Sequence, residues 1–164
     1  MASIDKILVD YHRFLREKTV LKKTDSEWYE ISTPFIGLFN DTLEIYVKRV
    51  GDSIQLSDDG ETLNRLELAG LSISRSPRRK EIFQRILNNY GVQCQNSELQ
   101  CKALIKQFPQ KKLDLLSAMM EIGDLHQLAS HKVASVFTDD VKSYLDENNI
   151  EYTREFTSIG STGL

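Results

Sequence analysis

The sequence is poor in cysteine, which can cross-link a fold, and in proline, which interrupts helices and strands. It has two cysteines and three prolines among 164 residues. Cys94 and Cys101 are predicted to face each other across a hairpin near residues 96–98. With no third or fourth ligand close by in sequence they make a poor zinc site, and in a reducing compartment we expect two ordinary thiols. We therefore predict no structural metal and no disulfide.

The sequence also lacks a long apolar segment. No apolar run approaches the roughly 20 residues that cross a bilayer. The first residues are charged and amphipathic and carry no apolar core of a secretion signal. Apolar residues make up 40% of the chain and charged residues 27%, which is typical of a globular protein. We expect a cytoplasmic protein with no membrane contact.

The residue patterns of common catalytic sites are missing as well. The eight glycines are scattered at predicted turns and form no phosphate-binding loop. The three histidines, His12, His126 and His131, pair with no serine or cysteine pattern in the sequence. A non-enzymatic protein without a cofactor is the favoured interpretation.

Charge is distributed unevenly, although the net charge is only −3. Residues 114–155 hold nine acidic and three basic side chains. A basic cluster at a predicted helix start could contact phosphate groups of nucleic acid or a protein partner, or it could be a solvated helix face. No aromatic residues alternate with these bases, so stacking on single strands is not indicated. The cluster consists of Arg75, Arg78, Arg79, Lys80 and Arg85.

The segment 28–57 predicts a three-stranded antiparallel meander. Leu43, Ile45 and Val47 alternate with polar residues at the period of a half-buried strand. Gly51-Asp52 is a two-residue hairpin signal, and Pro34 limits the first strand to an edge or a strand end. This meander is the predicted core of the fold.

Helical patterns surround the meander. Ser76-Pro77 is a strong helix start and Gly91 a helix end. The sequence therefore predicts an α+β fold, an antiparallel three- to five-stranded meander sheet covered on one face by helices, as a single domain over residues 1–156. The other predicted segments are a helix at 3–17, a polar connection at 18–26, helices within 60–90, a small hairpin at 92–105, helices within 109–148 with the last starting at Asp139 or Asp140, a strand at 150–156 and a loose tail at 157–164.

The helix that Pro109 opens has apolar residues on more than one face. Such a helix is either buried on most sides or packed against a partner. A homodimer through this helix is therefore one of the predictions.

The acidic turn Asp58-Asp59-Gly60 has two interpretations. With Asp41 at the start of a neighbouring strand, its carboxylates could hold Mg²⁺ or Mn²⁺. Alternatively, Asp58 and Glu61 form a capping box and Asp59-Gly60 supplies the turn into a helix. The capping interpretation requires no ligand and is favoured.

A metal-dependent nuclease is the enzymatic alternative, with Asp41, Glu44, Asp58 and Asp59 as its candidate catalytic residues. Restriction-endonuclease-like cores need a Glu-x-Lys pattern after the first aspartate. Glu44 and Lys48 are four residues apart on one strand, or about 13 Å. This spacing does not match, which leaves a nuclease relic or a nucleic-acid-binding accessory domain as alternatives.

The blocks Thr33-Pro34-Phe35, Ile45-Tyr46-Val47 and Leu56–Gly60 together resemble a family of bacterial and phage domains of unknown function. Members of this family often continue into a second, nuclease-like module, which would begin where this sequence ends. The resemblance thus implies that any catalysis of that module is missing here. We expect a small non-enzymatic interaction protein of a phage or mobile element. It would bind or inhibit a host nucleic-acid-processing or defence protein through the acidic region 114–155 or the basic cluster.

Overall fold

The computed structural model describes residues 3–131 and 133–150, and within 127–139 the backbone alone. The elements follow one another as α1 (Ile4–Lys18), β1 (Val20–Lys23), β2 (Tyr29–Ile36), β3 (Thr42–Val50), β4 (Ser53–Ser57), α2 (Glu61–Leu68), α3 (Pro77–Tyr90), β5 (Gln93–Gln95), β6 (Glu98–Leu104), α4 (Phe108–His131) and α5 (Val133–Glu147). Short 3-10 helices span Ile73–Arg75 and Ile105–Gln107. No helix in this described part is long and apolar enough to cross a membrane.

The six strands form one antiparallel sheet in the order β1-β2-β3-β4-β6-β5. The α+β class is confirmed, but the sheet has more strands than the three to five predicted. The predicted polar connection contains β1, whose sequence Val20–Lys23 has no apolar alternation and whose four residues are all exposed. The small hairpin also joins the main sheet, because β6 pairs with β4.

The predicted meander is confirmed as β2, β3 and β4, with Gly51 at the tight turn between the last two. The first strand continues past Pro34 to Ile36, beyond the predicted end. Its pairing with β3 becomes irregular between Ser32 and Ile36, as expected where proline removes a backbone donor. The buried Thr33 hydroxyl donates to the Leu43 carbonyl at 2.8 Å and keeps the two strands joined there.

Helices α2, α3 and α4 bury their apolar residues against one face of the sheet. Helix α4 packs against α2, α3, β4 and β6. Its Leu115, Leu116 and Ile122 are almost wholly buried. The apolar faces of α4 are therefore explained by packing within one chain, and they no longer argue for a dimer through this helix.

Helix α1 contacts the sheet at β2, but it adds no buried side chain to the core. It begins as predicted at Ser3, whose hydroxyl accepts a hydrogen bond from the Lys6 backbone N–H. None of its residues is buried. Most of its apolar stripe is exposed, Ile4 to 79%.

Helix α5 belongs to a compact unit separate from the one that holds α1 to α4. This helix begins at Val133, ahead of the predicted start at Asp139 or Asp140. Aspartate inside a helix costs only up to about 0.7 kcal/mol relative to alanine, so two adjacent aspartates do not by themselves set a helix start. The predicted strand at 150–156 and the tail lie outside the described residues, apart from Ile150. The prediction of one domain over 1–156 stays a prediction.

The two cysteines do not face each other as predicted, since Cys94 pairs with Leu99 and Cys101 with Leu56. Burial raises the pKa of the Cys101 thiol to about 11, and burial also raises the pKa of the half-buried Cys94. The reactive species is the thiolate. Cys101 should therefore be the less reactive thiol.

We expect Ellman's reagent at pH 8 to modify Cys94 first and Cys101 at least about tenfold more slowly, because little of Cys101 is thiolate at that pH. The measurement is a time course of absorbance, assigned with Cys94→Ser and Cys101→Ser. In denaturant the two single variants should react alike. Equal rates in the folded protein would contradict the expectation.

Candidate acidic cavity

The turn between β4 and α2 is organised by Asp58, which is fully buried. Its carboxylate accepts backbone N–H bonds from Gly60 at 2.9 Å, Thr62 at 3.0 Å and Leu99 at 2.7 Å. Burial raises the pKa of the Asp58 carboxyl, and the hydrogen bonds that it accepts oppose this rise. Asp58 therefore holds the start of α2 against the start of β6.

The capping interpretation of Asp58 describes this geometry, but the predicted capping box is wrong. The helix N-cap is Gly60, which has a positive φ of 76°. The Glu61 carboxylate does not accept a hydrogen bond from the Asp58 backbone N–H, as a capping box requires. It accepts instead from the Arg65 guanidinium at 2.6 Å, one helical turn later. An i, i+4 ion pair thus replaces the reciprocal cap.

Arg65 also bonds to Asp41, in the connection between β2 and β3. The hydrogen bond from Arg65 lowers the pKa of the Asp41 carboxyl. One guanidinium therefore links α2 to the β2–β3 connection. Together with Asp58, it fixes the two segments that border a cavity.

This cavity has a volume of about 650 Å³. It lies among the β2–β3 connection, β3, the turn after β4, α2 and α4, and its size is that of a ligand pocket. Apolar side chains form part of the lining, among them Leu38, Leu43, Met119 and Met120. The charged lining residues are Glu44, Asp58, Asp59, Glu61, Arg65 and Asp124.

The lining is strongly negative, with five carboxylates and one guanidinium. Arg65 is already engaged by Asp41 and Glu61. Tyr46, at the cavity wall, lies close to these negative charges. Its pKa is raised by burial, then by Glu30 outside the cavity, and then by the lining carboxylates Glu44, Asp59 and Glu61. The cavity therefore favours a cationic group.

The structure brings together three of the four carboxylates proposed for the nuclease alternative. Glu44, Asp58 and Asp59 line the cavity, and Asp41 adjoins it through Arg65. Both Asp58 oxygens accept backbone hydrogen bonds. Among the residues described, no group of three or more His, Cys, Asp or Glu side chains is placed to hold a metal ion. The nuclease alternative stays a prediction.

Several lining residues were not among the predicted site residues. Tyr46, Glu61, Arg65 and Asp124 come from three different elements. Strand alternation does place Tyr46 beside Glu44 on one face, and Asp124 belongs to the acidic region 114–155. No sequence signal, however, brings α4 to the turn after β4.

The basic cluster is divided by the geometry of α3. Arg78 and Arg85 are seven residues apart and share one exposed helix face, whereas Lys80 projects from another. Arg79 is half-buried and donates to the Ser72 carbonyl at 3.3 Å. Arg75 is exposed in the preceding 3-10 helix. Contact of these residues with a partner or nucleic acid stays a prediction.

Comparison with known families gives a match over residues 33–122 to the family described as Domain of unknown function DUF1828. The matched segment runs from β2 to α4 and includes every cavity-lining residue except Gly123 and Asp124. The resemblance to a family of unknown function is thereby confirmed at that level. No curated protein and no solved structure matches the chain.

Proposed function

We propose that this chain, which belongs to the DUF1828 family of domains of unknown function, is a small non-enzymatic interaction protein that binds a basic segment of a partner protein in its acidic cavity. The observation that carries the proposal is the acidic lining, in which Glu44, Asp59 and Asp124 are exposed while Arg65, its guanidinium, is already engaged by Asp41 and Glu61. A lysine or arginine entering this field would meet several negative charges at short range.

The apolar part of the lining suits the same occupant. Lysine and arginine carry aliphatic stems that pack on apolar surface while the charged end remains solvated. Met119 and Met120 offer adaptable side chains for such a stem. The exposed carboxylates of Asp59 and Asp124 provide the charge for its end. The cavity thus fits a long cationic side chain better than a purely polar ligand.

Rigidity of the cavity border supports binding. Asp58 holds the turn after β4 through three backbone hydrogen bonds, and Arg65 holds the β2–β3 connection to α2. Residues that are fixed before binding lose less conformational freedom on binding. The backbone that carries the charged lining is therefore preorganised for its partner.

We further propose a cytoplasmic protein of a phage or mobile element whose partner is a host nucleic-acid-processing or defence protein. The resemblance described above motivates the origin. The cavity motivates the partner class, because proteins that handle nucleic acids display lysine and arginine toward phosphate. An acidic cavity is complementary to such a surface.

Removing three cavity charges tests the proposal. We expect Glu44→Gln, Asp59→Asn and Asp124→Asn combined to weaken binding of fluorescent peptides that contain Lys or Arg among apolar residues by at least about tenfold. These three substitutions leave Asp58 and Arg65 in place. Fluorescence polarisation at several salt concentrations measures the loss, and binding by the wild type should weaken as salt rises.

The control variant combines Asp25→Asn, Asp52→Asn and Glu67→Gln, exposed carboxylates outside the cavity. It has the same net charge as the cavity variant and should bind peptides like the wild type. Equal weakening in both variants would show that binding depends on net charge alone, which would contradict the proposal. In host lysate, a stoichiometric partner should be retained by the wild type and the control and lost by the cavity variant.

Labelled DNA and RNA separate the alternatives. Cleavage that requires Mg²⁺ or Mn²⁺ would replace the proposal with the nuclease interpretation. A salt-sensitive gel shift without cleavage, weakened by Arg78→Ala, would favour the nucleic-acid-binding interpretation. The proposed protein-binding function predicts neither result.

A further inference from the structure

Strand β3 has an open edge inside the acidic cavity. Its pairing with β4 covers Tyr46 to Val50 and ends where Tyr46 lies opposite Ser57. The chain then turns away from β3, with Asp59 and Gly60 both at positive φ, and enters α2. Within the described part of the chain, no strand therefore lies beside residues 42–45 on the β4 side.

The backbone N–H and carbonyl of Glu44 point to this open side. The Leu43 carbonyl points toward β2, because it accepts the hydroxyl of Thr33. Consecutive residues of an antiparallel strand direct their backbone groups to opposite neighbours, so those of Glu44 point away from β2. The hairpin agrees, since Val50 bonds to β4 across the two-residue loop and residue 44 lies an even number of residues before it. No described residue bonds to these two groups.

We infer that the partner's basic segment binds in extended form, as a short strand antiparallel to β3 in the place that β4 vacates. The inference rests on the proposed function and adds the mode of binding to it. An open strand edge is a template for a further strand, and pairing of this kind is a recurring mode of peptide recognition. Antiparallel pairing is chosen because it is slightly more stable per residue than parallel pairing.

The size of the cavity fits a short strand. A strand residue takes up about 160 Å³, from a rise of about 3.3 Å, a strand spacing of about 4.8 Å and a sheet spacing of about 10 Å. The cavity of about 650 Å³ therefore holds about four such residues. This is the length of the open edge at residues 42–45.

The two faces of β3 predict the sequence of the bound segment. Side chains that lie directly opposite each other on paired strands share a face of the sheet. A basic residue opposite Glu44 would therefore meet its exposed carboxylate. The residues before and after it would face the side of Leu43, which is buried and lines the cavity with Met119 and Met120 of α4. The segment thus has a basic residue between two apolar ones.

A buried acceptor in the cavity also lacks a donor. Thr62 lines the cavity and is only 7% exposed. Its hydroxyl oxygen accepts no hydrogen bond from any residue that the structure describes. Because leaving a buried acceptor unpaired costs free energy, the site favours an occupant that donates hydrogen bonds. A basic peptide segment supplies such donors from its backbone and from its charged side chain.

Methylation of single backbone nitrogens in a peptide tests this mode of binding. The probe is fluorescein-labelled Ala-Leu-Lys-Leu-Ala with blocked ends, titrated with the full chain and followed by fluorescence polarisation. Methylating the lysine N–H should weaken binding by at least about tenfold, because this group bonds to β3 opposite Glu44. The matched control carries the methyl group on the leucine after the lysine, whose N–H points away from β3. It should bind within about twofold of the parent peptide.

Hydrogen exchange locates the contact on the protein. Saturating parent peptide should slow exchange of the Glu44 amide by at least about tenfold, measured by NMR, because the amide becomes paired. Amides of β1, at the outer edge of the sheet, should exchange as in the free protein. This comparison separates strand pairing in the cavity from a general stabilisation of the fold.

Equal binding of the two methylated peptides would exclude pairing with β3, as would unchanged exchange at Glu44. A loss confined to the leucine-methylated peptide would overturn the antiparallel arrangement. In each of these outcomes the parent peptide still binds in the cavity, so only the mode of binding fails. Absence of binding by the parent peptide, and by every other basic peptide, would instead be a failure of the proposed function.

Discussion

Replacing Asp58 with alanine is expected to lower the free energy of unfolding by about 3–5 kcal/mol. The substitution leaves three backbone N–H groups, those of Gly60, Thr62 and Leu99, without their acceptor. Leaving one such buried donor unpaired costs about 1–3 kcal/mol. The side chain is fully buried, so solvent cannot readily replace it. In a chain of this length the loss corresponds to a fall in Tm of about 10 °C.

Urea unfolding followed by circular dichroism measures this change. Asp58→Asn should lower the free energy of unfolding by less, about 1–3 kcal/mol. One side-chain oxygen remains as an acceptor, whereas the amide NH₂ group faces a backbone N–H donor. Asp59→Asn serves as the control: residue 59 is exposed and has a positive φ of 54°, which asparagine tolerates. Its stability should stay within about 0.5 kcal/mol of the wild type. A similarly small change for Asp58→Ala would show that the three hydrogen bonds are not needed.

The second large effect is expected at Leu66, which fixes α2 to the core. Leu66 is 0% exposed, and Thr62 is the other buried residue of this eight-residue helix. Leu66→Ala should lower the free energy of unfolding by about 2–5 kcal/mol, the usual range for a leucine truncated inside a packed core. The spread reflects how far the surrounding side chains can close the space left behind.

Leu68 provides a matched control on the same helix. It is 73% exposed, and Leu68→Ala makes the same chemical change with the same helix propensity. Its effect should be within about 0.5 kcal/mol. Equal losses at the two positions would mean that α2 is held by helix propensity and not by burial. Because α2 carries Glu61 and Arg65, Leu66→Ala should also weaken peptide binding in the cavity.

Local patterns were sufficient to predict the elements that depend on neighbours in sequence. The alternation around Ile45 and the Gly51-Asp52 turn predict β3 and β4, which the structure confirms. Ser76, Pro77 and Gly91 predict both ends of α3. In each case a short-range cause, side-chain period or a cap, agrees with the packing that the fold provides.

Elements held by backbone pairing or by distant contacts were missed. Strand β1, Val20-Leu21-Lys22-Lys23, has no alternation of apolar and polar residues, so only its pairing with β2 defines it. Helix α1 was predicted correctly, but its stripe looked like a core-facing stripe. Periodicity reports that a face is apolar and does not report what covers it.

The cavity could be predicted only in part, for the same reason. The acidic turn and Glu44 stood out in the sequence, and both line the cavity. Arg65 did not stand out, because its partner Asp41 is 24 residues away in the sequence. Asp124 reaches the cavity only because α4 packs across α2. The division of the basic cluster follows from helix geometry, since the spacing of Arg78, Lys80 and Arg85 places Lys80 on a different face of α3 from the two arginines.

The order of strands in the sheet has a consequence for the route by which the chain folds. Strands β1 to β4 join neighbours in sequence, so their hairpins close short loops. Strand β6 pairs with β4 across α2 and α3, with Ser57 opposite Gln100. Closing a longer loop costs more chain entropy before any contact is gained. The hairpins should therefore nucleate first, and the arrival of β6, secured by the Leu99 bond to Asp58, should be the late step that completes the sheet.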